Sequence, residues 1–373
     1  MISKDKHKKH PPIVKPKSGN YHHCEWSIYG TSCKNINDFI INIRERFTDK
    51  YRFQFVDADH NSDHEGSVFQ FGEKRFINEG KNAWTSFDDQ FISNDFDAVL
   101  VNGNHYPASQ QIVIIDPQKE DSLYRRKDQL TNVQLVILKN HDLDIFDFIK
   151  DLLPDNVPVF TGLDNEEIFN WFSEKISSAI PELHALILAG GESKRMGMDK
   201  SRLIYHGEKP MEIYLADFCK SLDIPVYISK AYDCETDHIG AHPVIFDKMP
   251  GMGPFGAIIS AFLEKPDTAW LVLACDLPFI EKDLITKLIK HRNPSSVATA
   301  IKGESKPFPE PLITIYEPKA KMRFFKFLSQ GYNCPRKVVI NSDTTVIEIK
   351  EENQIENVNT REEKTIALNK IKN

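Results

Sequence analysis

The sequence lacks any apolar run approaching the ~20 residues of a membrane-spanning helix, so no integral membrane protein is expected from its 373 residues. It also lacks the apolar core of a secretory signal near its polar N-terminus, which argues against export. Cysteine is sparse. Six are scattered along the chain and none forms a CxxC pair, which excludes a disulfide framework and a zinc ribbon. A reducing cytoplasm is the expected compartment. His22, His23 and Cys24 have no second Cys/His pair at ligand spacing, so no structural metal is expected there. No internal repeat is visible.

What is present is organised in three blocks of charge. The formal net charge of −7 divides into +5 over residues 1–20, −12 over residues 21–180 (15 basic, 27 acidic) and zero over residues 181–373 (26 of each). The first block holds six lysines and prolines 11, 12 and 16 and reads as a disordered basic arm. Neither a nucleic acid nor a membrane is expected as a partner.

The other blocks alternate strand-like and helix-like runs, which predicts two α/β domains over 21–180 and 181–373, each a mostly parallel sheet flanked by helices. In the first, Trp26–Gly30, Arg52–Asp57, Ala98–Val101, Gln111–Ile115 and Val133–Leu138 read as buried strands. Ile36, Phe39, Ile40, Ile43 and Phe47 share one helix face. Asp142–Leu153 predicts a helix, and Asp164 with Glu167 a capping box opening another. In the second, strands are expected at His184–Ala189, Val226–Ser229, Val244–Phe246, Trp270–Ala274, Val297–Ile301, Leu312–Tyr316, Val338–Ile340 and Val346–Ile349. Helices are expected at Met211–Leu222, Phe255–Leu263, Glu281–His291 and Pro318–Leu328, with Thr360 and Glu363 capping a last one.

The chemistry-bearing segment is Leu188-Ala189-Gly190-Gly191-Glu192-Ser193-Lys194-Arg195-Met196-Gly197-Met198-Asp199-Lys200, directly after the first strand of the second domain. Ligands of such folds sit at the carboxyl ends of strands. Two glycines admit close backbone approach to a phosphate or base edge, and Arg195 and Lys200 add two cations. This loop is neither GxGxxG nor GxxxxGK[ST]. Asp276 follows a buried apolar strand, where an unpaired carboxylate is costly. It reads as a Mg²⁺ ligand or as a cap of the next helix. Cys275 beside it reads as a buried small residue.

The loop resembles the signature LAGGxSxRMGxDK of molybdenum cofactor guanylyltransferases, without a gap. Related cytidylyltransferases usually carry Ala-Ala-Gly where this chain has Ala189-Gly190-Gly191. Asp247 and Pro250-Gly251-Met252-Gly253-Pro254-Phe255-Gly256 resemble the family's base-holding Asp…GxGPLxG loop, with Phe255 in place of the usual Leu; a turn made only for geometry is the other reading. Leu273–Pro278 resembles the CDxP motif. Glu310-Pro311-Leu312 resembles the strand entry facing the second substrate. Asn357-Val358-Asn359-Thr360 resembles the NVNTP segment, with Arg361 in place of its proline.

The resemblance implies a Rossmann-like nucleotidyltransferase using Mg²⁺, with GTP and molybdopterin or Mo-molybdopterin as substrates. Leu188, Ala189, Gly190, Gly191, Lys200, Asp247, Gly253 and Asp276 would bind nucleotide, and Arg195, Lys200 and Asp276 would carry catalysis. Asp276 and Asn359 would hold metal, and Glu310 and Pro311 would face the acceptor. Molybdoenzymes or their chaperones, and a homo-oligomer, are among the implied partners. CTP or a phosphorylated sugar as substrate, and a non-catalytic nucleotide-binding scaffold, are the alternatives.

The first domain resembles the GTP-binding adaptor of molybdopterin-guanine dinucleotide synthesis. Trp26–Asn35 stands where a phosphate loop would, Asp97–Gly103 and Gln111–Ile115 match its strand pair, and Asp57-Ala58-Asp59-His60 its His-rich segment. Ile28, Cys33 and Asn35 replace two glycines and the Mg²⁺-binding Ser/Thr, and Asn102 replaces its Glu. A non-hydrolytic relic serving docking or dimerisation is expected.

Overall fold

Continuous runs of Val, Ile and Leu need cover on both faces of a sheet, and each half of the chain supplies it. The computed structural model describes residues 20–58, 66–71, 74–79, 86–189, 203–231 and 238–372. The chain divides into two units, Met1–Ala179 and Ile180–Asn373.

The first unit runs β1 (Glu25–Tyr29), α1 (Cys33–Arg46), β2 (Phe53–Ala58), β3 (Gly66–Phe71), β4 (Lys74–Glu79), α2 (Ser86–Ser93), β5 (Ala98–Asn102), β6 (Gln111–Ile115), α3 (Glu120–Tyr124), β7 (Val133–Leu138), α4 (Asp147–Lys150), β8 (Val159–Thr161) and α5 (Glu166–Ser178). Its sheet order is β4-β3-β2-β5-β1-β6-β7-β8, antiparallel only at β2–β3 and β3–β4. Ser32 caps α1 by accepting the Asn35 N–H. Trp26 of β1 packs on Trp171 and Phe172 of α5, with centroids 5.5 and 5.4 Å apart.

Two expectations need correction here. Only Asp147–Lys150 of Asp142–Leu153 is helical. Leu143, Ile145 and Phe146 pack against the core from irregular backbone, and the interspersed Asp142 and Asp144 are weak helix formers. The cap of α5 is Asn165, whose Oδ1 accepts the Glu167 N–H at 2.9 Å, rather than Asp164. The β3–β4 hairpin, α2 and β8 had no counterpart in the sequence reading.

The second unit runs β9 (Leu183–Leu188), α6 (Met211–Lys220), β10 (Val226–Lys230), β11 (His238–Ile239), β12 (His242–Phe246), α7 (Pro254–Glu264), β13 (Ala269–Ala274), α8 (Lys282–Lys290), β14 (Ala298–Gly303), β15 (Ile313–Tyr316), α9 (Ala320–Ser329), α10 (Pro335–Ile340), β16 (Thr344–Ile349) and α11 (Arg361–Lys372). Its sheet order is β11-β12-β10-β9-β13-β15-β14-β16. β12, β10, β9 and β13 are parallel neighbours, and β15 runs against β13 and β14. One face is covered by α6, α8 and α11 through Leu215, Ile285 and Ala367. The other is covered by α7, α9 and α10 through Ile258, Phe324 and Val338.

The expected strand at Val338–Ile340 is α10 instead. Pro335 opens it at a position where its fixed φ favours a helix start, and burial of Val338 and Val339 outweighs their strand preference. Among the described residues, no helix is long and apolar enough to cross a membrane.

Candidate active site

Four parallel strands place four exits on one edge of the second sheet. Leu188 of β9 lies level with Ser229 of β10 and Ala274 of β13, and Phe246 of β12 with Lys230. From β9 the chain turns toward β10, whereas β13 lies on its other flank. The crevice between the β9 and β13 exits is therefore the topological switch point, where such sheets take ligands. Leu188 and Ala189 stand on one side of it and Asp276 on the other. Gly190, Gly191, Arg195 and Lys200 lie outside the described residues.

Asp276 is half-buried. Its carbonyl accepts the Val358 N–H at 2.8 Å, which lays the Asn357–Asn359 segment against the end of β13. Glu363 Oε2 then accepts the N–H groups of Asn359 (2.6 Å) and Thr360 (3.1 Å), while Thr360 Oγ1 accepts the Glu363 N–H at 3.1 Å. This capping box orders the segment with Arg361, not proline, as the first helical residue. Burial pushes the nearby Tyr205 hydroxyl up to about 12, and the charges of Asp276 and Glu363 push in the same direction. Carboxylate oxygens and the Asn359 amide are the hard oxygen donors that Mg²⁺ prefers, so these residues fit such an ion. The His206 Nε2–H donates to the Pro278 carbonyl at 2.6 Å and its ring stacks on Tyr214, which steadies the turn after Asp276.

Asp247 follows β12. Its Oδ1 accepts the Met249 N–H at 2.8 Å and lies 3.2 Å from the Ser260 hydroxyl oxygen, bending the chain into the Pro250–Gly256 loop. Gly253 caps α7 at φ +55°, a conformation that favours glycine. Gly256 lies so close to that loop that a Cβ there would stand 2.6 Å from the Met249 carbonyl oxygen. Phe255 is fully buried, with its ring centroid 4.9 Å from that of Phe324. Its departure from the usual Leu thus serves the core.

Glu310 and Pro311 precede β15, whose first residue pairs with Leu273, so they reach the same edge. The buried Tyr316 hydroxyl donates to the Pro311 carbonyl at 2.8 Å, and Arg336 Nη2 lies 3.4 Å from Glu310 Oε2. Leu188, Ala189, Asp247, Gly253, Asp276, Glu310, Pro311 and Asn359 thus share one edge of the sheet.

One pair on that edge escaped the sequence reading. Lys230 ends β10, and its Nζ lies 2.6 Å from Glu212 Oε2 and 3.2 Å from the Ala189 carbonyl oxygen. A lysine ending an apolar strand reads as a solvated cation, and no spacing pairs it with a first-turn glutamate 18 residues earlier.

In the first unit, Gly30 has φ +92° and abuts the Ile114 carbonyl. Thr31 Oγ1 donates to Asp116 Oδ2 at 2.8 Å, and Lys139 Nζ lies 3.0 Å from the same oxygen. Burial opposes ionisation of Asp116, but the bonds from Thr31 and Lys139 outweigh it and hold the carboxyl below its ordinary range. The Asn35 amide donates to Thr31 Oγ1 at 2.9 Å. The loop is thus knitted to its own sheet. Beside it, a shallow cleft includes Gly30, Thr31, Lys119 and Arg126 in its lining. Cys33 Sγ lies 3.3 Å from His105 Nε2. Asp59 and His60 lie outside the described residues. His22, His23 and Cys24 bring their donor atoms within 4.8 Å of one another, yet burial pushes the Cys24 thiol up to about 12, with Asp97 adding to it.

A family model described as a MobA-like NTP transferase domain matches residues 185–339. The "Molybdenum cofactor biosynthesis bifunctional protein" of Synechocystis is 29% identical over 224 residues, 59% of this chain and 62% of that protein. This chain therefore spans less than two thirds of that relative. The "Probable molybdenum cofactor guanylyltransferase" of Pelotomaculum thermopropionicum is 31% identical over 149 residues, 40% of this chain and 70% of that one. Among solved structures, "Molybdopterin-guanine dinucleotide biosynthesis protein A" of Archaeoglobus fulgidus is similar over 51% of this chain and 98% of its own, at 19% identity and a TM-score of 0.42.

Proposed function

Since the chain belongs to the family of MobA-like NTP transferases, we propose that it transfers GMP from GTP to the terminal phosphate of molybdopterin or Mo-molybdopterin, releasing pyrophosphate. The observation that carries this reading is the placing of Asp276 and the Asn357–Asn359 segment at the switch-point crevice, across from Leu188 and Ala189.

The acceptor phosphate is already an anion near neutrality, so no strong general base is needed. The site has to offset charge between two polyanions and align them for in-line attack. Asp276, with Asn359, would hold Mg²⁺, which supplies charge neutralisation on the phosphates when bound. Arg195 and Lys200 would add positive charge to the triphosphate. The backbone at Gly190 and Gly191 would set its course, and Asp247 on its loop would receive the base. Glu310 and Pro311 would face the acceptor. The zero net charge over residues 181–373 leaves these local cations without an opposing field of the whole domain.

Pyrophosphate release measured with each of the four NTPs, in the presence of molybdopterin and Mg²⁺, tests this. GTP is expected to exceed CTP by at least about 100-fold, since a site that hydrogen-bonds its cognate group discriminates more strongly than an apolar pocket does. A preference for CTP, or turnover only with a sugar phosphate, would replace the guanylyl reading with one of its rivals.

The first unit's self-bonded loop supports a role without GTP hydrolysis, in docking or dimerisation. A fragment spanning residues 21–180 is expected to hydrolyse GTP no faster than buffer; measurable turnover would overturn this.

A further inference from the structure

Lys230 and Glu212 form an ion pair whose side chains are only 10% and 6% exposed. Such a pair is a poor stabiliser. Desolvating both charges cancels most of the attraction, and packed apolar residues often serve stability equally well. What distinguishes this pair is where the ammonium's hydrogen bond goes. Besides meeting Glu212 in the first turn of α6, the Lys230 ammonium donates to the carbonyl of Ala189 at 3.2 Å. The backbone carbonyl of the same residue accepts the Asp247 N–H at 2.8 Å. One residue therefore ties the exits of β9 and β12 to the end of β10.

Ala189 is the last residue before Gly190 and Gly191. Glycines carry no side chain that could fix their course. A planar peptide, however, is fixed as a whole once its carbonyl is held. A charged donor on the Ala189 carbonyl thus fixes the orientation of the last described residue after β9. Glu212 keeps that donor aimed, and the positive end of the α6 dipole favours its carboxylate there.

We propose that Lys230, held by Glu212, is a positioning residue for nucleotide binding, fixing the exit of β9 so that the nucleotide-binding loop starts from one direction. The proposal rests on the nucleotidyl-transfer reading above. Without the strut, the binding-competent arrangement is one among several, and apparent affinity falls by its share of the population.

The test is the double variant Lys230→Met/Glu212→Met in the full chain, which removes both charges while filling the space. Wild-type pyrophosphate release with the four NTPs is measured first; no turnover with any of them defeats the underlying reading, not this proposal. With an active wild type, the double variant is expected to keep its thermal midpoint. Its KM for the preferred NTP should rise about tenfold, with kcat changed far less, the split expected for lost ground-state binding. A double variant with wild-type KM overturns the proposal. If it does not fold, Lys230→Arg and Lys230→Met are compared well below their melting midpoints. Arginine, which keeps charge and donors, should restore most of the affinity; equal KM for both overturns the proposal.

Discussion

Replacing Asp276 with alanine is expected to lower nucleotidyl transfer on the order of a thousandfold, comparable to removing one central electrostatic element of an active site, while leaving the fold intact. The two halves of this expectation have separate grounds. The Asp276 carbonyl accepts the Val358 N–H at 2.8 Å, a backbone bond that alanine keeps. The side chain stands at the end of a strand buried at every position, where a carboxylate opposes folding unless something compensates it. Losing it should leave the protein folded. Function is different, because the carboxylate is the group proposed to hold the divalent cation beside two polyanionic substrates. Asp276→Asn keeps size and polarity but loses the charge, and is expected to fail nearly as badly. Chelation of divalent cations should silence the wild type to the same degree, with recovery on adding Mg²⁺. Pyrophosphate release and circular dichroism on the same preparations read both halves. Near wild-type turnover by either variant would remove Asp276 from the proposed mechanism.

Which parts were legible in the sequence follows from the range of the forces involved. β13 is apolar at all six positions from Ala269 to Ala274, and a strand buried on both faces announces itself that way. The Thr360–Glu363 capping box is legible because both partners lie within one helical turn. Val338–Ile340 misleads because three β-branched residues carry a local preference, whereas their helix depends on burial of Val338 and Val339, which no local window contains. The Lys230–Glu212 strut is hidden for the same reason. Each residue alone resembles an ordinary surface charge, and their pairing exists only because α6 crosses from β9 to β10 and sets its first turn over the strand ends. Asp247 shows a third case. Its resemblance to the family's Asp…GxGPLxG pattern marked the loop, but only the structure shows that Oδ1 faces the Met249 N–H and the Ser260 hydroxyl. The same carboxylate therefore shapes the loop that it is proposed to serve.

That shaping makes Gly256 the other position of large expected effect. Glycine to alanine inside a helix ordinarily gains about 1 kcal/mol, and Gly256 lies in the first turn of α7 with an ordinary helical backbone. Here the sign should reverse. The new Cβ would stand 2.6 Å from the Met249 carbonyl oxygen, 3.1 Å from Asp247 Oδ1 and 3.1 Å from Met252 Cβ. The first of these is backbone in a turn already closed by Asp247, so it has no free torsion with which to retreat. Ser260 donates to the Gly256 carbonyl at 2.7 Å and accepts the Lys248 N–H at 2.8 Å, which clamps the turn from its other side. Relief therefore has to come from moving the Met249–Gly253 loop outward, carrying the Asp247 carboxylate with it. Overpacking of this kind costs about 1–3 kcal/mol, so Gly256→Ala should melt at a lower temperature despite its better helix former. KM for the nucleotide should rise about tenfold or more while kcat at saturation changes less, since Asp276 lies across the crevice on another strand and is not displaced. A Gly256→Ala protein that gains stability and keeps its KM would show that the loop yields freely and that its tight course does not set nucleotide affinity.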